Sequence, residues 1–400
     1  MGLHIAKLIV LFITAFVDMV GFVLVLPLLP YYATEYGANA LLVGVLISSF
    51  SVAQLVLAPV WGRFSDRYGR RPMILAGLVL SAAAYVVFGL AQSVTVLLLS
   101  RVVQGMGGGT IGVVQAYVAD TTAPDQRTRA LGWLSAVTSF GAVVGPAFGS
   151  ALDQAGGHQA PGLVAAALAA LTALFAWRFL RESRTMRAPG ASHAPAPSSG
   201  RVALRRVVSH PREPASRLIW IYAIAIGAFY GTGPTMPLLL SERLGVTEHT
   251  IGYVFMYFGA MGVVARAGLL GWVVGRLGEA RLSRLGIVLL AAGLTLLSVA
   301  RNYPVLILSM TLMPLGTAFL FPCVTGLLSQ VVPGADRGLY MGVQQTFGGV
   351  SRVVFPVAAG VIMDQLGRGV PFAVAAALVL VTLPLTGAMG TYAPAAARPA

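Results

Sequence analysis

Twelve runs of about 20 apolar residues, separated by mostly short polar connections, follow one another along the chain and leave few folds open to it. They fall near 8–32, 40–61, 72–91, 94–119, 130–152, 161–181, 217–240, 249–275, 283–300, 304–331, 337–363 and 370–389. A helix of that length crosses a hydrocarbon core about 30 Å thick. Backbone amides cannot go unpaired in lipid, and the runs are far too long for tilted barrel strands, so each is expected to be a helix. Composition agrees: 57% of the 400 residues are hydrophobic and 10% charged, whereas a soluble domain carries about 25% charged residues. The first run is too long for a signal-peptide core and has no small-residue cleavage site closely behind it, so it reads as a retained span.

A net charge of +14 raises nucleic acid as a partner. The basic residues, however, lie in short connectors and form no aromatic-interleaved face, so that class is set aside. Their placement instead orients the chain. Lys7, then Arg63, Arg67, Arg70 and Arg71, then Arg127 and Arg129, nine arginines from Arg178 through Arg217, then Arg276, Arg281, Arg284, Arg337 and Arg398 all fall on one side, against Arg243, Arg301 and Arg368 on the other. The positive-inside rule then puts both termini in the cytoplasm, with the chain multi-pass in a cytoplasmic membrane. The only cysteine, Cys323, lies in an apolar run, so no intrachain disulfide or cysteine metal cluster is expected.

The hydrophilic stretch 182–216 is rich in Pro, Ser, Ala and Arg and too poor in apolar surface to order itself as a domain. It reads as a cytoplasmic linker between a six-helix bundle at 1–181 and another at 217–400. The halves look like copies: Pro27 falls on Pro237, Gly21 on Gly231, Arg127 on Arg337, Gly132 on Gly342 and Pro146 on Pro356 at an offset of 210, and Gly62 and Arg67 on Gly271 and Arg276 at 209. The copies diverge in charge. Asp18 faces Ala228, Asp66 faces Gly275, Arg101 faces Thr311 and Asp120 faces Gln330, so energy coupling is expected to concentrate in the first half.

Four segments carry chemistry. Gly62-Arg-Phe-Ser-Asp66-Arg67-Tyr-Gly69-Arg70-Arg71 is a basic connection with one acid. Asp66 there can accept from helix N-termini and pair with arginine; a solvated topology determinant accounts for the arginines but not for the acid. Arg101-Val-Val-Gln104-Gly105 opens a helix on which residues 101, 105, 108, 112 and 115 share a face. A guanidinium inside a span costs several kcal/mol unless paired or hydrated, which makes function the default and snorkelling from a helix end the alternative. Gly141-Ala-Val-Val-Gly145-Pro146-Ala-Phe-Gly149 allows close helix packing and a bend; plain packing is the bland reading. Asp18, with Gly21, Pro27 and Pro30 after it, is the acid deepest in any run. Desolvation favours the protonated carboxyl there, as a proton carrier needs, and a structural ion pair with a buried arginine is the rival.

These segments resemble the signature motifs of the major facilitator superfamily, and within it the drug:proton antiporters with twelve spans, tetracycline and multidrug exporters among them. The resemblance covers most of the first half and, more weakly, the second. It implies an all-α integral membrane fold of twelve transmembrane helices in two six-helix bundles. It implies a proton-coupling pair of Asp18 and Arg101, and a cytoplasmic gate of Gly62, Asp66, Arg67, Gly69 and Arg70 with Asp120 and Arg127. It also implies an antiporter motif at Gly141, Gly145, Pro146 and Gly149. Cavity residues are expected among Phe22, Gln115, Tyr230, Phe319, Phe321 and Gln344, with Arg266 and Arg352 added because the second-half histidine and acids of tetracycline exporters have no match here.

No phosphate loop, nucleophile elbow or HExxH pair occurs, so neither an enzyme nor a metal centre is expected. The reading is an exporter of small amphipathic or lipophilic compounds driven by the proton gradient without a cofactor, working as a monomer in the lipid bilayer. An exporter of a lipid or an anionic or zwitterionic metabolite is the alternative, and a non-transporting sensor or scaffold the different class.

Overall fold

In the computed structural model, the structure describes residues 2–108, 110–122, 126–180, 182, 197–334, 336–387 and 389, excluding the side chains of 2–8, 128 and 197–199. The linker arginines between 183 and 196, the turn 123–125 and Arg398 lie outside the described residues. The described chain is helical throughout: α1 (Gly2–Val25), α2 (Leu29–Glu35), α3 (Ala40–Tyr68), α4 (Arg70–Gly89), α5 (Val94–Gly107), α6 (Thr110–Thr121), α7 (Arg127–Gly156), α8 (Gln159–Phe179), α9 (Pro197–Ser209), α10 (Pro214–Thr232), α11 (Met236–Leu244), α12 (Glu248–Val264), α13 (Leu270–Val299), α14 (Tyr303–Val331), α15 (Arg337–Leu366) and α16 (Val370–Val381). A π-helical turn, Ala265–Leu269, joins α12 to α13.

Among the described residues, nine helical segments are long and apolar enough to cross a membrane, and α10 with α11 makes a tenth across a 45° bend. The 52-residue segment Glu248–Val299 contains two of the twelve apolar runs; Gly278, at φ 74° and ψ 160°, parts them. With the shorter apolar Val370–Thr386, all twelve runs are helical. Helix starts follow from local chemistry. Asn39, Ser93 and Asn302 sit in extended backbone, and their side chains accept from Leu42, Val96 and Val305 amides, satisfying donors the first turn leaves orphaned. Ser93 and Asn302 are 209 residues apart, so the repeat reproduces a cap.

Packing groups the chain into two units, Met1–Ala191 with Val246–Gly259, and Ser192–Gly245 with Ala260–Ala400. In the first, Val10, Leu11, Ile74, Leu78, Tyr117 and Leu180 centre a buried cluster that holds α1, α4, α6 and α8 together. In the second, Ala265, Leu282, Ala318, Phe319 and Cys323 form the core between α13 and α14. The stretch expected to be an unstructured linker carries α9. Its Ala203 and Val207 are buried, Trp220 Nε1 donates to the Val207 carbonyl at 3.3 Å, and Arg206 binds Glu213 through two nitrogens. Two apolar residues four apart suffice to seat one amphipathic helix on its unit, although they are too few for a domain.

Candidate transport site

Arg101 is 1% exposed on α5, and among the described residues it has no carboxylate partner. One of its terminal nitrogens donates to the Gln104 side-chain carbonyl, and its guanidinium lies 5.2 Å from the centre of the Phe50 ring, which in turn meets Phe22 at 5.2 Å. Its Nε and the Gln104 amide nitrogen are buried without a hydrogen-bond partner. Buried donors left open in this way await an acceptor. Asp18 stands half-buried on α1, and Tyr85 of α4 interacts electrostatically with both Asp18 and Arg101. The tyrosine fits because Gly21, one turn after Asp18, has no side chain; a Cβ there would lie 3.2 Å from the Tyr85 hydroxyl. Tyr85 and Gln104 were not identified from sequence as members of this group, since neither is out of place in an apolar helix.

One helical face cannot run from Arg101 to Gln115, as a single helix would have required. α5 ends at Gly107 and α6 begins at Thr110, the Gly108 amide turning back to the Gly105 carbonyl at 3.0 Å. Three successive glycines lower helix propensity, and Thr110 Oγ1 donates to the Gly107 carbonyl at 2.6 Å. Gln115 is consequently exposed while Arg101 is buried.

The segment read as a loop at 62–71 is mostly helix. α3 continues through Tyr68, Gly69 alone makes the turn at φ 103° and ψ 163°, and α4 begins at Arg70. That backbone region is open essentially to glycine only. Glu182, just past α8, was not singled out from the sequence. Its carboxylate accepts from the Arg70 and Arg71 amides at 2.9 and 3.1 Å and so caps α4, the role expected of Asp66. Asp66 instead pairs with Arg70 at 2.8 Å, and Arg70 reaches on to Asp120 at 3.0 Å and to Ser65 Oγ at 2.9 Å. Arg127 donates to the Thr122 carbonyl at 3.2 Å, so it closes its own turn while Asp120 serves Arg70. Arg67 lies over Tyr68 at 5.4 Å, and Gly62 has open space around it.

Gly141, Gly145 and Gly149 form one stripe of α7 against the backbone of α1. A Cβ at 141 or 145 would meet the Phe16 carbonyl at 3.1 Å or the Val20 carbonyl at 3.0 Å, and one at 149 would run into Leu24. An adjoining face of α7 holds the start of α12 within the same unit: Ser150 Oγ donates to the Glu248 carbonyl at 2.5 Å and accepts from the Gly252 amide at 3.0 Å. Gly252 sits against the Pro146 carbonyl. Pro146 therefore stands in a helix clamped on two faces.

In the second unit, Arg352 lies 5.1 Å from the centre of the Tyr230 ring and interacts with Tyr222. Tyr222 in turn meets Phe321 at 5.5 Å and, through its hydroxyl, the Gln345 amide at 3.5 Å. Tyr222 and Gln345, absent from the sequence reading, thus join Tyr230, Phe321 and Arg352. Phe319 departs from expectation, being 5% exposed in the α13–α14 core. Gln344 is buried and accepts from Thr325 Oγ1 at 3.3 Å, and Arg266 is exposed on the π-helical turn. Aromatic and arginine side chains converge here, but helix registry decides which of them do.

A wholly helical membrane protein with a buried, uncompensated arginine and an acid inside its spans has the makings of a transporter rather than of an enzyme. The family model of the Major Facilitator Superfamily matches residues 11–278 and 218–397, and the chain belongs to that family. It is 27% identical over 381 residues to "Multidrug resistance protein 2" of Bacillus subtilis (strain 168), covering 94% of each chain. It is 28% identical to the class D tetracycline resistance protein of Salmonella ordonez, covering 87% of each. The structure of the human organic anion transporter MFSD10 superposes with a TM-score of 0.69 at 25% identity, over 96% of this chain and 99% of that one. The chain is accordingly a multi-pass membrane transporter.

Proposed function

We propose that the protein exports small amphipathic or lipophilic compounds in exchange for protons, by alternating access between bundles at 1–181 and 217–400. The reading places it in a cytoplasmic membrane with both termini inside, acting as a monomer and powered by the proton gradient without a cofactor. One observation carries it: Asp18, in the middle of an apolar helix, forms no ion pair among the described residues, yet shares the neighbour Tyr85 with Arg101, whose Nε is an open buried donor. Protonation of Asp18 removes the one negative charge in that group. Loss of the proton restores an acceptor for Arg101, Gln104 and Tyr85, so the two charge states favour different helix arrangements. The Asp66–Arg70–Asp120 bridge and the Glu182 cap would hold the cytoplasmic end closed for part of the cycle, and the clamped Pro146 helix would seal the outer end. The multidrug and tetracycline resistance proteins among its relatives support a drug-like cargo.

The test is uptake of fluorescent lipophilic cations, zwitterions and anionic lipids into inside-out proteoliposomes under an imposed pH gradient, with wild type and Asp18→Asn compared. Gradient-driven accumulation lost in the variant is expected. Accumulation that survives the substitution would remove Asp18 as the proton carrier. A second reading, an exporter of an anionic metabolite or lipid, draws support from Arg352 among Tyr222, Tyr230 and Phe321, and from the organic anion transporter noted above. The anionic members of the same panel discriminate it. A ligand-binding but non-transporting chain would show no gradient-dependent accumulation of any probe.

A further inference from the structure

Away from the proton-coupling group, the end of the first unit opposite Gly69 gathers a different chemistry. Asp153 lies in the last turn of α7, Gly157 turns at φ 68°, and His158 precedes α8, while Glu248 and His249 open α12 in the same unit. One ligand atom each from Asp153, His158 and Glu248 lies within 4.8 Å of the others. The Asp153 side chain is wholly buried. Its Oδ1 accepts from the Tyr32 hydroxyl at 2.5 Å, whereas Oδ2 has no hydrogen bond although His249 Nδ1 is 3.0 Å away. That nitrogen also lacks a hydrogen bond, so two lone-pair atoms address one space. Two carboxylates with two imidazoles, and a buried carboxylate oxygen that accepts no hydrogen bond, make a site that asks for a cation.

We propose that Asp153, His158 and Glu248 bind one divalent transition-metal ion of the zinc class, with His249 completing the set by a turn of its ring. Imidazole and carboxylate donors in a four-ligand set favour zinc, cobalt or nickel over magnesium or calcium. The surrounding contacts are those of a supported ligand. Glu35 lies 2.9 Å from His158 Nδ1 and Tyr32 stacks on the same ring at 4.5 Å, which orients the imidazole as a carboxylate partner does in metal sites. Glu248 is positioned by its own carbonyl, held by Ser150. Closing a separation of up to 4.8 Å to the geometry of bonds about 2.0–2.1 Å long asks for side-chain shifts of up to about 0.7 Å each. The repeat has no copy: position 158 corresponds to Arg368, which pairs with Glu242 at 2.7 Å, and position 153 to Met363. On the transporter reading, a bound ion ties the α7–α8 corner to the start of α12 and slows the cycle from the outer face.

The deciding experiment titrates zinc chloride into the purified full-length protein, freed of any polyhistidine tag, by calorimetry. One ion per chain is expected, with affinity at least tenfold weaker in Glu248→Gln and in His158→Gln. Because substitutions beside the buried Asp153 endanger folding, X-ray absorption of the zinc-loaded wild type supplies an independent arm, where imidazole scattering and an all-nitrogen and oxygen shell are expected. No saturable binding, wild-type affinity in both variants, or an absorption spectrum without imidazole would overturn the site. Zinc at saturating occupancy should slow export by the wild type severalfold; unchanged export would refute the clamp. Binding is read without cargo or gradient, so failure of the transport proposal and failure of this one are separate results.

Discussion

The Gly69 corner of the first unit and the Gly278 corner of the second occupy equivalent places in the repeat and do not work alike. Both glycines adopt the same unusual backbone, φ 103° and 74° with ψ 163° and 160°, so the turn itself has been kept. What surrounds it has not. Position 70 is an arginine bound to Asp66 and Asp120; its counterpart Glu279 accepts from the neutral Gln330, at 2.9 Å, in place of an aspartate, and forms no ion pair among the described residues. A further job has been preserved by a different residue. Arg71 donates to the Trp177 carbonyl at the end of α8, and in the second unit Arg284 donates to the Thr386 carbonyl, 209 residues after Trp177, at 2.7 Å. Backbone anchorage is thus retained in both halves, and the charge bridge in only one. An ion pair responds to separation and to local charge far more steeply than an amide–carboxylate contact does, which suits the first corner for gating.

Breaking the bridge should produce the largest effect. Arg70→Ala is expected to reduce the initial transport rate in proteoliposomes by ten- to a hundredfold, whereas Glu279→Gln should change it less than threefold. Equal losses would abolish the distinction between the corners. Next comes the stripe of α7: Gly149→Val collides with Leu24 and should cost about 1–3 kcal/mol by overpacking, seen as lower yield and a lower unfolding temperature in detergent. Gly132→Val on the same helix has open space and, valine being the better helix former, should gain a few tenths of a kcal/mol.

The turn glycines give a smaller, graded contrast. Gly69→Ala and Gly278→Ala both force a side chain into a glycine-only region, at about 1–3 kcal/mol. The first should fall further in unfolding temperature, because its Cβ would lie 2.5 Å from Glu182 while open space surrounds Gly278. Smallest is the attempt to rebuild the bridge in the second unit. Glu279→Arg with Gln330→Asp adds an exposed pair worth about 0.2–1 kcal/mol, read as a slight thermal gain. A marked slowing of transport by that pair would show that the second corner can also be made into a gate.

Much of this was legible in order along the chain. The twelve helices follow from run length, since lipid admits no unpaired backbone. Asp18 and Arg101 stand out because a charge in an apolar run needs a reason. Their intermediaries stayed hidden: Tyr85 and Gln104 are unremarkable in a helix, and only the space left by Gly21 brings the phenol toward Asp18. Gln115 leaves the face of Arg101 because of a helix break within a glycine run, and Phe319 is turned into the core toward the neighbouring helix.

Sequence alone therefore determined the class of solvent this protein faces, the helical type of its elements, their repeat, and the places where charge is out of keeping with lipid. These are local or periodic properties, set by what each stretch of chain must do with its own amides and apolar surface. The tertiary structure alone decided which groups meet: Glu182 rather than Asp66 at the start of α4, Gln345 rather than Gln344 beside Tyr222, and Asp153, His158 and Glu248 at one corner. Such encounters join residues as much as 123 positions apart, as in the Gln345–Tyr222 contact, and depend on the rotation of each helix about its axis. A rotation of 100° moves one residue to the place of the next without altering the hydrophobicity of either run.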